Sequence, residues 1–245
     1  FSYSKGKGCI CQHDGCDKAA IRSHVIPNAI LKNTITKGFS GGCTFKSTKD
    51  NIFIERIFCS EHDSNILSQI EKNAQQTFFQ RLSNTPKFLK INPRILSRFI
   101  LSILFRMAIR EFRLYNELNI NRDPFEQNQI VDLIIRSKHA IFDSQWPNQD
   151  IFVAYTSAYQ QIQSGSYIEE RRLKNLAPLK LIAIKTNRAT RKFFCIMITN
   201  SCFLIPIHQE DVHKAPIPGF YRLLNQNDQL IQPTLLVDSP IWQQI

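Results

Sequence analysis

Apolar positions are unevenly spread along the chain, and their spacing outlines the elements. The longest apolar run is "ILSRFILSILFRMAI", residues 95–109, interrupted by Arg98 and Arg106. It falls short of the roughly 20 apolar residues that cross a bilayer, so it predicts a buried helix over about 94–114. A second helix is expected over 124–142, opened by Pro124, a favourable first-turn residue. Upstream, "SEHDSNILSQIEKNAQQTFFQRL" carries Ile66, Ile70 and Phe78 at roughly helical spacing, with Ser60 placed to cap its start. "IRSHVI" and "NIFIERIF" have strand composition. So do "LKLIAI", "FFCIMIT" and "CFLIPI", the last two joined by a hairpin turn expected at Asn200-Ser201. "DIFVAYTSAY" suits a strand or a short helix. "KGKG", "KGFSGGC" and "KSTKDN" mark loops, and "SNTPKFLKINP" (83–93), with Pro86 and Pro93, reads as a connector. The pattern predicts an α+β chain with a first unit over 1–82. The second, over 83–245, holds the two long helices and an antiparallel β region with strands over about 178–207. No internal repeat or low-complexity segment is visible.

Composition sharpens the picture. In 245 residues, 43% are hydrophobic, enough for a real core. Lys and Arg outnumber Asp and Glu by 31 to 20, a formal net charge of +11. Such a surplus suits a polyanionic partner, nucleic acid foremost, or an anionic membrane face. Arg94, Arg98, Arg106, Arg110 and Arg113 fall within less than half of the helical circle when wound at about 100° per residue. A solvated face on an otherwise buried helix is the first reading; a phosphate-facing stripe is the alternative. A second basic stretch runs from Arg171 to Lys192. "FSYSKGKG" lacks the apolar run of a signal peptide, and a cytoplasmic protein with no membrane association is expected.

Cysteine placement adds chemistry. There are seven cysteines, five in the first quarter, and an odd count without an export signal argues against a disulfide framework. Zinc wants four tetrahedral ligands, commonly as two close pairs. Cys11-x4-Cys16 and Cys59-x2-His62 supply them, with 42 residues between the pairs, around a segment too small to build its own core. Cys9 and His13 compete for the first pair, and Cys43 stands apart. Cys195 and Cys202, flanked by large apolar residues, are expected to pack as small hydrophobes.

Cys-x4-Cys, then "SHVIP", then a loop, then "FCSEHD" opening a helix, resembles the HNH nucleases, also called ββα-metal or His-Me finger enzymes. The likeness covers about residues 9–72 and looks closest to bacterial proteins sharing S-H-x-I-P and F-C-x-x-H-D, some of them linked to phage defence. It implies a small zinc-stapled ββα-metal subdomain within 1–82. It also implies His24 as general base, Asp63 as ligand of a catalytic Mg²⁺ or Mn²⁺, and Cys11, Cys16, Cys59 and His62 around a structural zinc. Implied partners are nucleic acid, DNA ahead of RNA, and another protein of a defence system.

Phosphodiester hydrolysis uses these residue types because it needs an activated water and a cation on the scissile phosphate. A histidine can take the water's proton, and a divalent ion can neutralise the developing charge. The chain departs from the family pattern at Ser23, where an aspartate or histidine would ligate the ion. Asp14, Asp17, Glu61 or Asp63 would have to supply the charge, and Asn51 is the nearest candidate to orient the base. The competing expectation is a non-catalytic zinc module that binds nucleic acid or protein within a larger assembly.

Overall fold

A computed structural model of the protein describes residues 8–9, 16–24, 54–80, 88–117, 124–143, 146, 150–155, 179–185, 190–198, 201–207, 217 and 219–233. It is a mixed structure of helices and antiparallel sheet. Strands β1 (Arg22–His24) and β2 (Ile54–Arg56) pair antiparallel, with Ser23 opposite Glu55 and His24 opposite Ile54. Helix α1 follows over 60–80. Its centre, Ser68–Ala74, is an ordinary α-helix flanked by wide π-helical turns over His62–Leu67 and Gln75–Phe79. The first closes through the Ser68 amide, which donates to the Asp63 carbonyl five residues back. Buried Leu67, Ile70, Ala74 and Phe78 form its core-facing stripe. The expectation that Ser60 caps α1 is corrected. The Asp63 amide already bonds to the Cys59 carbonyl (3.0 Å), so the helix begins one residue earlier and Ser60 lies inside it.

Helix α2 spans Pro93–Glu117, and its start follows from "INP". Asn92 Oδ1 accepts the Ile95 amide (3.1 Å) as an N-cap, and Pro93 takes the first helical position, where its missing N–H costs nothing. Every residue from Phe99 to Ile109 is buried, so α2 is the central helix of the molecule. Helix α3, Pro124–Phe142, packs alongside it. Of the expected arginine stripe, Arg94 is exposed, as a solvated face requires, but Arg98 and Arg106 are not. Arg106 is 2% exposed, and half-buried Arg98 donates to the Ile141 carbonyl (2.6 Å), capping the last turn of α3. Arg110 and Arg113 have side chains outside the described residues.

The main sheet has five antiparallel strands in the order β5 (Leu179–Lys185), β6 (Thr190–Ile198), β7 (Ser201–Pro206), β4 (Phe152–Tyr155), β8 (Tyr221–Arg222). "DIFVAY" is therefore a strand. Ile198 pairs with Ser201, which puts Ser201 in β7 rather than in the turn. Period-two alternation sorts the side chains: Val153, Tyr155, Ile196, Phe203 and Ile205 join the core shared with the helices. Phe152, Ala154, Phe193, Cys195, Cys202 and Leu204 form a second cluster on the opposite face. Cys195 and Cys202 pack there with their sulfurs 3.5 Å apart. Entry to β8 uses a turn in which the Phe220 amide donates to the Ile217 carbonyl (3.0 Å). Gly219 sits in it at φ 79°, a left-handed conformation that glycine adopts without strain. β3 (Leu89–Ile91) pairs with β9 (Gln229–Ile231), so residues on either side of the two long helices and the sheet in sequence are brought together.

One buried cluster runs from Cys9 through α1, α2 and α3 to Ile231. Phe58 stacks on Phe105 (centroids 5.5 Å) and meets Phe142 (5.9 Å), while Phe78 meets Phe203 (5.9 Å). These rings fasten the start of α1 to α2 and α3, and its last turn to the sheet. Among the described residues, no helix is long and apolar enough to cross a membrane.

Candidate metal centre and the neighbouring His–Asp pair

The centre is assembled by short antiparallel contacts. Gly8 bridges Ala19, the Cys9 amide donates to the Lys18 carbonyl (2.7 Å), and the Ile21 amide donates to the Phe58 carbonyl (2.8 Å). These bonds fold residues 8–9 back along 18–19 and lay that hairpin beside Cys59. Cys9, Cys16, Cys59 and His62 then meet with all four donor atoms within 4.8 Å of one another. Cys9, Cys59 and His62 are buried; Cys16 is partly exposed.

The separations fit a tetrahedral ion. With Zn–S near 2.3 Å and Zn–N near 2.0 Å, ideal geometry places two sulfurs about 3.8 Å apart and a sulfur and nitrogen about 3.5 Å apart. Cys16 Sγ and Cys59 Sγ lie 3.9 Å apart, and Cys9 Sγ lies 3.5 Å from His62 Nδ1. Cys59 Sγ to His62 Nδ1 is closer, at 3.1 Å. His62 turns Nδ1 to the sulfurs, so that is the nitrogen available to an ion. The Cys59 amide donates to Cys9 Sγ (3.2 Å), a bond that favours a thiolate over a thiol. Phe142 closes one side, edge-on to the His62 ring at 5.3 Å. Three cysteines and one histidine in this arrangement can hold a metal ion such as zinc.

The pairs expected from spacing are partly realised. Cys16, Cys59 and His62 come together. Cys9 joins them through a six-residue spacing to Cys16, whereas Cys11 and its other competitor, His13, lie outside the described residues, as do Asn51, Asp14 and Cys43. The signal that could have favoured Cys9 is Gly8 before it, a residue without a side chain where the backbone runs against 18–19.

Beside this centre stand the other expected residues. Ser23 is buried and His24 half-buried on β1, and Asp63 is half-buried in the first turn of α1. His24 is not part of the Cys/His cluster. Burial pushes the Asp63 carboxyl up from its ordinary range; the Arg106 charge, a hydrogen bond from the Ser23 hydroxyl and a charged His24 all pull it back. Glu61, expected as a source of ligand charge, is exposed and paired with Lys18, which holds its carboxyl below the usual range. Asp17 is exposed. Asp63 thus offers one carboxylate beside His24, the kind of oxygen donor that Mg²⁺ or Mn²⁺ takes together with several waters.

Sequence reasoning missed Arg106. Its Nη1 donates to the His24 carbonyl (2.9 Å) and its Nη2 to Glu71 Oε1 (2.5 Å). It joins the strand that bears His24 to the helix that bears Asp63. Compared with protein-family models, curated proteins and solved structures, the chain shows no significant match.

Proposed function

We propose that the region around the Cys/His cluster is a zinc-stapled ββα-metal nuclease module of the HNH type, hydrolysing nucleic-acid phosphodiesters. The observation that carries this reading is the placement of half-buried His24 and Asp63 on the strand and helix beside the cluster, with the Ser23 hydroxyl bonded to the Asp63 carboxylate and so tying strand to helix. In this reading Cys9, Cys16, Cys59 and His62 hold the structural zinc, with Cys9 in the place first expected for Cys11. His24 accepts the proton of the attacking water. Asp63 holds the catalytic Mg²⁺ or Mn²⁺, which when bound supplies positive charge to the scissile phosphate and the leaving oxygen. Ser23 acts through Asp63, fixing the carboxylate by donating to it and leaving its other lone pairs free. The +11 charge of the chain supports a polyanionic substrate.

The test is incubation of plasmid DNA and of RNA with the protein and Mg²⁺ or Mn²⁺. Cleavage by wild type and none by His24→Ala is the expected outcome; intact substrates under all conditions overturn the reading. A second reading, a non-catalytic zinc module that binds nucleic acid or protein, is favoured by Ser23. It stands where the resembling family carries a metal ligand, and its hydroxyl is already committed to Asp63.

A further inference from the structure

Arg106 lies in the stretch of α2 in which every residue is buried, so packing on all sides fixes where its side chain begins. Its guanidinium, 2% exposed, reaches 82 residues back in sequence to the His24 carbonyl and 35 residues back to the Glu71 carboxylate. His24 is the last residue of a three-residue strand whose pairing partner also has three residues. So short a two-stranded ribbon is marginal by itself. Its far end needs another hold if the imidazole is to keep one position. Glu71 stands two turns beyond Asp63 on the same helix face.

We infer that Arg106 is a positioning residue for the His24–Asp63 pair: a buried guanidinium fork from α2 sets the spacing between the strand that carries one and the helix that carries the other. The inference rests on the nuclease reading of that pair. Buried as it is, Arg106 is not placed to touch a substrate, and it acts through the His24 carbonyl and Glu71. Only arginine suits the task, because its planar fork donates in two fixed directions at once. Lysine offers one compact charge and cannot hold both acceptors in the same geometry.

Mn²⁺ is the probe. In protein labelled at histidine, the His24 ring resonances of wild type should broaden at substoichiometric Mn²⁺. Arg106→Lys should keep its zinc content and circular dichroism yet lose most of that broadening. With a nucleic-acid substrate, its kcat should fall by about 10²-fold with KM within about twofold, the penalty of a misplacement on the order of 1 Å. Arg106→Lys with wild-type broadening and wild-type kcat overturns the inference and leaves the nuclease reading standing. Wild type whose His24 signals ignore Mn²⁺ overturns the nuclease reading, and this inference with it. If Arg106→Lys does not fold, Glu71→Ala carries the test, since it removes the acceptor that Nη2 holds and leaves one arm of the fork without its anchor. Reduced His24 broadening supports the clamp, and unchanged broadening refutes it.

Discussion

Replacing Cys9 with serine removes one sulfur from the cluster and almost nothing else. The sulfur lies 3.5 Å from His62 Nδ1 and accepts the Cys59 amide at 3.2 Å. Structural zinc sites bind with about 10–16 kcal/mol of apparent free energy, so an even quarter share is about 3 kcal/mol. The orphaned Cys59 amide adds about 1 kcal/mol, since hydroxyl oxygen does not reproduce a thiolate acceptor at that distance. Together these weaken zinc by about 10³-fold. Cys9 and Cys59 belong to the main buried cluster, so the loss should also lower the unfolding midpoint of the whole protein rather than loosen one end. The assay is competition for zinc against a chromophoric chelator of known affinity, run in parallel on Cys9→Ser and Cys11→Ser. Cys9→Ser should release zinc to the chelator and Cys11→Ser should hold it. Retention by Cys9→Ser with loss by Cys11→Ser would refute the four-residue set and restore the pairing first expected from the cysteine spacing.

Phe142→Ala should cost about 3–5 kcal/mol of stability and weaken zinc as well, because the ring packs on both Phe58 and His62. A change under about 1 kcal/mol in urea unfolding would contradict that coupling. Burial pushes the Tyr155 hydroxyl up to about 12. The native chain therefore keeps a proton that the unfolded chain releases from about pH 10, and stability should fall as pH rises through that window. Tyr155→Phe should flatten the fall, at the loss of the hydrogen bond to the Ile231 carbonyl (3.3 Å); equal slopes in wild type and variant would refute it. Nucleic-acid binding should weaken with salt by about 0.9 in the log–log slope for each duplex phosphate neutralised, and salt-independent affinity would remove the polyanion argument.

Much of the fold is legible in the sequence where local chemistry decides it. Pro124 marks the start of α3, and the apolar run 95–109 becomes the buried centre of α2. The three late apolar runs pair as consecutive antiparallel strands because short connections leave them few other partners. What local pattern does not carry is long-range. The β3–β9 pair joins segments about 140 residues apart, and nothing in "FLKI" names "QLI" as its partner. The arginines of α2 look alike by helical spacing, yet Arg94 is exposed while Arg106 is buried. What separates them is a carbonyl and a carboxylate presented from β1 and α1. At the metal centre, the Cys59-x2-His62 spacing sets two donors on one helical turn, a local fact. Whether Cys9 or Cys11 faces them depends on how residues 8–9 are registered against 18–19, because positions two apart share a strand face and both patterns suit the spacing.

The central claim joins a zinc staple to a separate catalytic pair, and one comparison tests both halves at once. Zinc content and single-turnover cleavage with Mn²⁺ are measured on the same preparations of wild type and His24→Ala. His24 stands outside the Cys/His cluster, so the variant should keep the zinc content of wild type. Its cleavage rate should fall by about 10²- to 10⁴-fold, the loss typical of removing a positioned base. Wild-type cleavage by His24→Ala, or a variant that loses zinc and unfolds, would contradict the account.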